Sequence, residues 1–230
     1  MAAAFFRNTD GAKMFRNRKE AGRRLAAGLA EFKGRDCVIL ALPRGGVPVA
    51  AQVAAALNAP LDLLLVRKIG APWHPELAVG AVIDGGDPIT VRDDEIMRQT
   101  GTSDAAFEAA RARELQEIER RRTFYLGARA PVPLEGRVAI VVDDGLATGN
   151  SMRAALTAVR RRGPGLLVMA VPVAPAEVIA TFQGEADRVV CLERPKHFVA
   201  VGYFYRDFEQ TGDEEVIALL ARCARTGPVE

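Results

Sequence analysis

Histidine is nearly missing from this chain: His74 and His197 are the only two among 230 residues. A His-rich metal centre is therefore excluded. Cysteine is almost as scarce. Cys37, Cys191 and Cys223 are odd in number, far apart and without a Cys-x-x-Cys spacing. That argues against a disulfide framework or a zinc site and fits a reducing compartment. No sign of charge dominates, since 31 Lys and Arg face 29 Asp and Glu for a net of +2. The balance gives no electrostatic case for a nucleic-acid or membrane surface. No apolar run approaches the length of a membrane span. The start, Met1 to Lys13, sets Arg7, Asp10 and Lys13 around a short Phe5-Phe6 patch and lacks the apolar stretch of a secretory signal. The expectation is a soluble, cytoplasmic protein with neither nucleic acid nor membrane as a partner.

Apolar material, in contrast, is ample. Hydrophobic residues are 49% of the chain, which permits a sizeable core, and the length suits one domain or a domain with a small appendage. Short apolar runs at Cys37–Leu42, Leu61–Val66, Val138–Val142, Leu166–Val173 and Arg188–Leu192 predict buried strands. Helical patterns alternate with them. Ala21, Leu25, Leu29 and Phe32 sit on one face of a helix over 17–33, leaving Arg18, Lys19, Arg23 and Arg24 as a solvated face. Pro48 suits a helix start, and Asn58 a left-handed stop. Further helices are expected over 103–126, 151–162, 175–182 and 213–223. In the first of these Phe107, Leu115, Ile118 and Tyr125 form a stripe for packing or a dimer contact, and Glu117 pairs with Arg121 four residues on. Gly and Pro punctuate 67–94, where Leu77–Ile83 and Pro88–Val91 predict a hairpin around Asp84-Gly85-Gly86-Asp87. Val199–Phe204 is expected as one more strand. Alternating strands and helices of these lengths argue an α/β, doubly wound, mostly parallel sheet.

The most informative stretch is Val138 to Met152. An apolar run ends in two adjacent carboxylates, Asp143 and Asp144. The loop Gly145-Leu146-Ala147-Thr148-Gly149-Asn150-Ser151 follows, and then a helix. Small residues leave backbone N–H groups open, and a helix start adds partial positive charge, so the loop can cradle an anion. Carboxylates at the carboxyl end of a parallel strand lie where open α/β sheets bind ligands. Phosphate on the loop and hydroxyls on the acids imply a sugar phosphate. Val-Asp-Asp also ends the first strand of phospho-acceptor receiver domains, but there no Gly-x-Ala-Thr-Gly loop follows at once.

Residues 138–152 resemble the phosphoribosyl-pyrophosphate (PRPP) motif of the type I phosphoribosyltransferases. The resemblance implies that Asp143 and Asp144 hold the ribose hydroxyls. It also implies that the loop from Gly145 to Ser151 wraps the 5′-phosphate, with Thr148 and Ser151 contributing hydroxyls. Pro43-Arg44-Gly45-Gly46 follows the first core strand, as the family's pyrophosphate loop does, a loop that often carries a strained peptide bond. Arg44, Gly45 and Gly46 would then meet pyrophosphate; a plain turn with a surface Arg is the other reading. Arg67 and Lys68, at the end of the next strand, are either further pyrophosphate ligands or solvated charges. Residues 69–86 are similar to the family's flap, with Trp73 and His74 at its tip. Phe198 and Asp207 are the counterparts of a base-stacking aromatic and a metal-binding acid in purine-salvage members. Packing of Phe198, Tyr203, Phe204, Tyr205 and Phe208 under the last helix is the alternative.

What the family implies is an Mg²⁺-dependent transfer of phosphoribosyl from PRPP to an unidentified nitrogenous acceptor, of purine type if Phe198 stacks on it, in a homodimer. One domain is expected over 1–230, with 69–130 as flap and helical insertion and 193–230 as hood and C-terminal helix. A non-catalytic PRPP or nucleotide sensor on the same fold is the second reading.

Overall fold

The structure is a computed structural model that describes residues 14–84 and 88–224. Among these residues two sheets form. Strands β1 (Cys37–Ala41), β2 (Leu61–Leu63), β6 (Val138–Val142), β7 (Leu166–Val173) and β8 (Arg188–Glu193) make a parallel sheet in the order β2-β1-β6-β7-β8. Strands β3 (Val66–Ala71), β4 (His74–Ile83) and β5 (Ile89–Arg92) make an antiparallel one in chain order. The α/β, mostly parallel architecture is as the sequence led one to expect.

The parallel strands read as unbroken apolar runs because both faces are covered. In β1, Cys37, Ile39 and Ala41 join the core under helices α1 (Arg18–Gly28), α2 (Gly46–Leu57) and α7 (Asp213–Ala224). Val38 and Leu40 join the opposite core with Met152, Ala155 and Leu156 of helix α5 (Asn150–Arg161). Helix ends follow the cap chemistry. Asn17 caps α1 by accepting from the Glu20 N–H at 3.0 Å, and the Glu20 carboxylate accepts from the Arg16 N–H just before the cap. Asn58 closes α2 in the left-handed conformation with φ +52. That helix begins at Gly46 rather than Pro48. Pro48 is tolerated there because the first helical N–H groups have no partner to lose.

The expected strand Leu61–Val66 is two elements. The chain leaves the parallel sheet after Leu63, and Val66 opens the antiparallel ribbon. The expected hairpin is present as β4 and β5, with Ile83 opposite Ile89; its turn residues Gly85, Gly86 and Asp87 lie outside the described residues. Helix α3 (Asp94–Thr100), which the sequence reading did not foresee, follows and is capped by Asp93. Helix α4 (Asp104–Leu126) buries Phe107, Ile118 and Tyr125 as the stripe requires, and also Arg122. Helix α6 (Ala176–Ala180) is a short turn between β7 and β8.

Val199–Phe204 is not a strand. Val201–Phe204 form a 3-10 turn, and the chain then lies beside residues 15 and 16: Phe15 N–H donates to the Phe204 carbonyl at 2.8 Å, and Arg206 N–H to the Phe15 carbonyl at 2.8 Å. Tertiary packing overrides the strand preference of this apolar stretch. Phe15, Phe198, Phe204, Tyr205 and Phe208 pack in ring contacts 5.0 to 5.5 Å apart.

One buried ionic cluster joins the two sheets. Arg122 donates to Asp84 at 2.6 Å and lies 3.4 Å from both oxygens of Asp62. Asp84 also accepts from the Leu65 N–H at 2.7 Å, and Asp62 from Leu63 and Val132 at 2.9 Å. Relative exposures of 1% for Asp84, 3% for Asp62 and 9% for Arg122 make this a desolvated network whose charges depend on one another.

Candidate functional site

The order β2-β1-β6 places a topological switch point between β1 and β6, because the chain proceeds outward from each in opposite directions. In open α/β sheets the crevice beyond the strand ends at such a point receives ligands. Here both loops the sequence singled out emerge side by side. Leu42 N–H donates to the Val142 carbonyl at 2.9 Å, holding the two strand ends together. The Pro43–Arg44 peptide is cis, and Gly46 N–H closes the turn on the Leu42 carbonyl at 3.0 Å.

The two glycines bring this turn onto the acid pair. A Cβ on Gly46 would lie 2.9 Å from the Val142 carbonyl and 3.0 Å from Cα of Asp143. One on Gly45 would overlap Oδ2 of Asp144 and lie 2.8 Å from its Cγ. A side chain at Gly46 would press on the backbone and one at Gly45 would displace the Asp144 carboxylate, an approach that glycine permits.

Asp143 and Asp144 are partly buried and adjacent. Oδ1 of Asp143 accepts from the Asp144 N–H at 2.8 Å. Burial, and next the neighbouring Asp144 charge, push the Asp143 carboxyl well above the ordinary carboxylate range. Asp144 is also raised by burial, opposed by Arg18, whose Nε donates to its Oδ2 at 2.7 Å. The Tyr205 hydroxyl donates to the Asp144 carbonyl at 2.6 Å.

The loop after the acids turns sharply at Gly149, where φ is +77 and a Cβ would lie 2.8 Å from the Phe182 ring. Helix α5 starts there with no side-chain cap, so the N–H groups of its first turn remain available to an anion. Ala147, Thr148, Asn150 and Ser151 are exposed around that terminus. Leu146 differs: it is buried, and its N–H is taken by the Val173 carbonyl at 3.0 Å, so it anchors the loop. Gly145 is buried too, and a Cβ on it would lie 2.6 Å from Val201.

The basic residues divide. A cavity of about 120 Å³ at the switch point is lined by Pro43, Arg67, Arg121, Asp143 and Ser151. Arg67 and Lys68 were expected at the end of a core strand. They lie instead in β3, because the chain crosses to the ribbon two residues earlier. Arg67 nevertheless reaches the cavity, with Nε bonded to Glu114 of α4 at 2.7 Å. Lys68 is exposed and lines a separate cleft between the ribbon and α5, together with Asn150 and Ser151. Arg44 lies 3.3 Å from Asp213, an acid that also accepts the Tyr125 hydroxyl at 2.5 Å. Arg121 pairs with Glu117 as expected, at 2.7 Å, yet also lines the cavity, a second role that helical spacing alone conceals.

Arg18 is a residue that sequence reasoning assigned wrongly. Its side chain is 11% exposed and lies against the acid pair, not on a solvated face. Arg24, from the same supposed face, bonds Glu193 and sits 4.4 Å from the Phe15 ring. Phe198 is half-buried, with its ring stacked on Phe204 at 5.5 Å and 17°. Asp207 is exposed, its N–H bonded to the Arg16 carbonyl and its Oδ1 3.3 Å from the Glu209 N–H. Trp73, at the ribbon tip, is 85% exposed.

A parallel doubly wound sheet, with an acid pair and an uncapped helix start at its switch point, defines the class as an α/β protein with its candidate ligand crevice there. The particular family follows from comparison. The chain belongs to the phosphoribosyl transferase domain family, whose model matches residues 13–209. It is 48% identical over 213 residues to the Mycobacterium tuberculosis (strain ATCC 25618 / H37Rv) protein named "Putative phosphoribosyl transferase Rv0571c", and equally to its counterpart in strain CDC 1551 / Oshkosh. The match covers 93% of this chain and 48% of each relative, so the chain spans about half the length of the curated relatives it matches. Among solved structures, TT1426 from Thermus thermophilus is 42% identical with a TM-score of 0.78, over 91% of this chain and 98% of that one.

Proposed function

We propose that the protein transfers the 5-phosphoribosyl group of PRPP to a nitrogenous acceptor, of purine type or another amine, with release of pyrophosphate. The observation that carries this reading is the seating of Gly45 and Gly46 against Asp144 and Asp143, beside the uncapped start of α5. Two anion cradles and a diol-binding acid pair thereby share one crevice, as the parts of PRPP require.

Asp143 and Asp144 accept hydrogen bonds from the ribose hydroxyls, and their charge offsets the positive charge that builds on C1 as the bond to pyrophosphate loosens. The N–H groups of Ala147 to Ser151 hold the 5′-phosphate, with the Thr148 and Ser151 hydroxyls. Arg44, Arg67 and Arg121 receive the leaving pyrophosphate. Lys68, across the ribbon, meets the loop side of the ligand. The β3–β4 ribbon covers the crevice and limits hydrolysis.

The family implies Mg²⁺. Among the described residues no group of three His, Cys, Asp or Glu could hold a metal ion by itself. Mg²⁺ characteristically binds through one or two carboxylates and substrate phosphates. Asp207, whose exposed carboxylate keeps an oxygen open, is the residue that would hold it. When bound, the ion would neutralise pyrophosphate charge. Phe198 offers the acceptor at most the ring face that Phe204 leaves uncovered.

A cytoplasmic homodimer is part of the proposal; among the described residues no helix is long and apolar enough to cross a membrane. The test is a screen of PRPP consumption with Mg²⁺ against purines, pyrimidines and other amines, following pyrophosphate release. Acceptor-dependent release supports transfer. PRPP binding without turnover would favour the sensor reading, and no PRPP binding by folded protein would end both.

A further inference from the structure

We propose that Arg18 is a positioning residue for the ribose-binding acid, holding Asp144 charged and oriented and tying it to the C-terminal segment 205–209. The proposal rests on the PRPP reading above. Its basis is geometric. Arg18 occupies the first position of α1, immediately after the Asn17 cap. A cation there opposes the helix dipole, so helix stability does not account for it. Its guanidinium instead makes three contacts across the chain. Nε donates to Asp144 Oδ2 at 2.7 Å, Nη1 donates to the Glu209 carbonyl at 2.6 Å, and Cζ lies 3.8 Å from the centre of the Phe208 ring. The ion pair is nearly desolvated, with side-chain exposures of 11% and 13%. A charge-assisted bond in that setting fixes the carboxylate more firmly than a neutral one. Only Oδ2 is engaged by Arg18, which leaves Oδ1 for a ribose hydroxyl.

The charge matters as much as the direction. Two carboxylates side by side in a partly buried crevice favour protonation, and a protonated acid is a poorer acceptor for a diol. The charged and titratable groups facing Asp144 are Asp143 from its own loop, Arg18 from α1, and Tyr205 from the C-terminal segment. Among these Arg18 is the cation, and it opposes the protonation that burial promotes.

The segment 205–209 adds a second link. Tyr205 bonds the Asp144 backbone carbonyl, while Glu209 and Phe208 hold Arg18. The ribose acid is therefore braced by the N-terminal helix and the C-terminal segment together. Those elements meet through the Phe15 and Arg206 backbone bond at 2.8 Å.

The test is titration calorimetry of PRPP with Mg²⁺ on wild type, Arg18→Gln and Arg18→Lys across the acid side of neutrality, with circular dichroism to establish folding. Arg18→Gln is expected to weaken PRPP binding about tenfold or more at neutral pH, the scale of one charge-assisted bond. Its binding should also fail at a higher pH on acidification than in wild type. Arg18→Lys should recover part of the affinity and most of the wild-type pH dependence. An Arg18→Gln protein that binds PRPP as wild type does, or weakly with an unmoved acid limb, overturns the proposal. Should Arg18→Gln not fold, Phe208→Ala carries the test: weaker binding with the same upward shift supports the brace, and unchanged binding overturns it. A folded wild type that binds no PRPP overturns the PRPP reading and this inference together, whereas a binding wild type with an equally binding variant overturns this inference alone.

Discussion

Gly45 and Asp144 fix each other's position: a Cβ on the glycine would lie 2.8 Å from Cγ of the acid. Substituting Gly45→Ala therefore pushes against the Asp144 carboxylate, the end of a side chain that the Arg18 bond at 2.7 Å holds in place. The expected outcome is a loss of about tenfold or more in PRPP affinity, equivalent to about 1.4 kcal/mol. The thermal midpoint should move far less than the binding constant. Calorimetry beside a thermal melt checks it, and wild-type affinity in the variant would show that this contact has no bearing on the ligand.

Asp144→Asn keeps the side-chain size and leaves the Tyr205 bond, which is made to the backbone carbonyl. It removes the negative charge that would face C1. Turnover of PRPP is expected to fall by about a hundredfold or more, the usual scale for losing one group that stabilises charge in the transition state. Circular dichroism should be unchanged. Steady-state assays with pyrophosphate release as the signal decide the matter, and full activity would remove the acid from the mechanism.

Arg122→Met leaves the buried Asp62 and Asp84 carboxylates without the cation that contacts them directly, with only the more distant charge of Arg162 facing them. Breaking such a cluster costs about 3–5 kcal/mol. Asp84 supplies a pH signature, because burial raises its carboxyl above the ordinary value of 3.8 even with Arg122 present. A group whose folded pKa is raised lends stability that is fully present below the unfolded pKa and is lost as pH rises through the folded one. The deficit of Arg122→Met should thus be smaller in mild acid than at neutral or alkaline pH. Urea titrations at a series of pH values measure this, and a deficit independent of pH would mean that the charge of Asp84 is not what Arg122 balances.

Gly149→Ala combines a left-handed backbone with a collision, φ +77 and the Phe182 ring 2.8 Å from the new Cβ. A loss of about 2–3 kcal/mol is expected. Gly34→Ala isolates the backbone part, since φ is +81 there but no atom lies within 4 Å of a Cβ. It should cost about 1 kcal/mol. Equal losses in the two variants, by urea denaturation, would mean that Phe182 yields.

Much of the candidate site was legible because it is local. The run from Val138 to Ser151 carries strand, acids, turn and helix start within one stretch, each with its own residue chemistry, and the structure orders them along the chain in that way. The same holds for Cys37 to Asn58. The errors arose where a side chain's role is set by something distant in sequence. Arg18 reads as a solvated helix residue by spacing, yet its partner lies 126 positions away. Val199–Phe204 has strand composition, but packing beside Phe15 turns it into a 3-10 segment. Leu61–Val66 looks like one apolar strand, and only the pairing of Val66 with Ile83 reveals that it serves two sheets.

The amino-acid order alone determined the alternation of buried strands and helices, and the acid pair followed by a glycine-bearing loop. Those are properties of hydrophobic period and of neighbouring residues, which short-range sterics and burial dictate. Tertiary structure decided which loops meet. The placement of β1 beside β6 brings Gly45 and Gly46 onto Asp144 and Asp143. The packing of residues 15–18 beside residues 204–209 brings Arg18 to the Asp144 carboxylate and Tyr205 to its carbonyl. Contacts of that kind depend on strand order and long-range packing, and no local pattern encodes them.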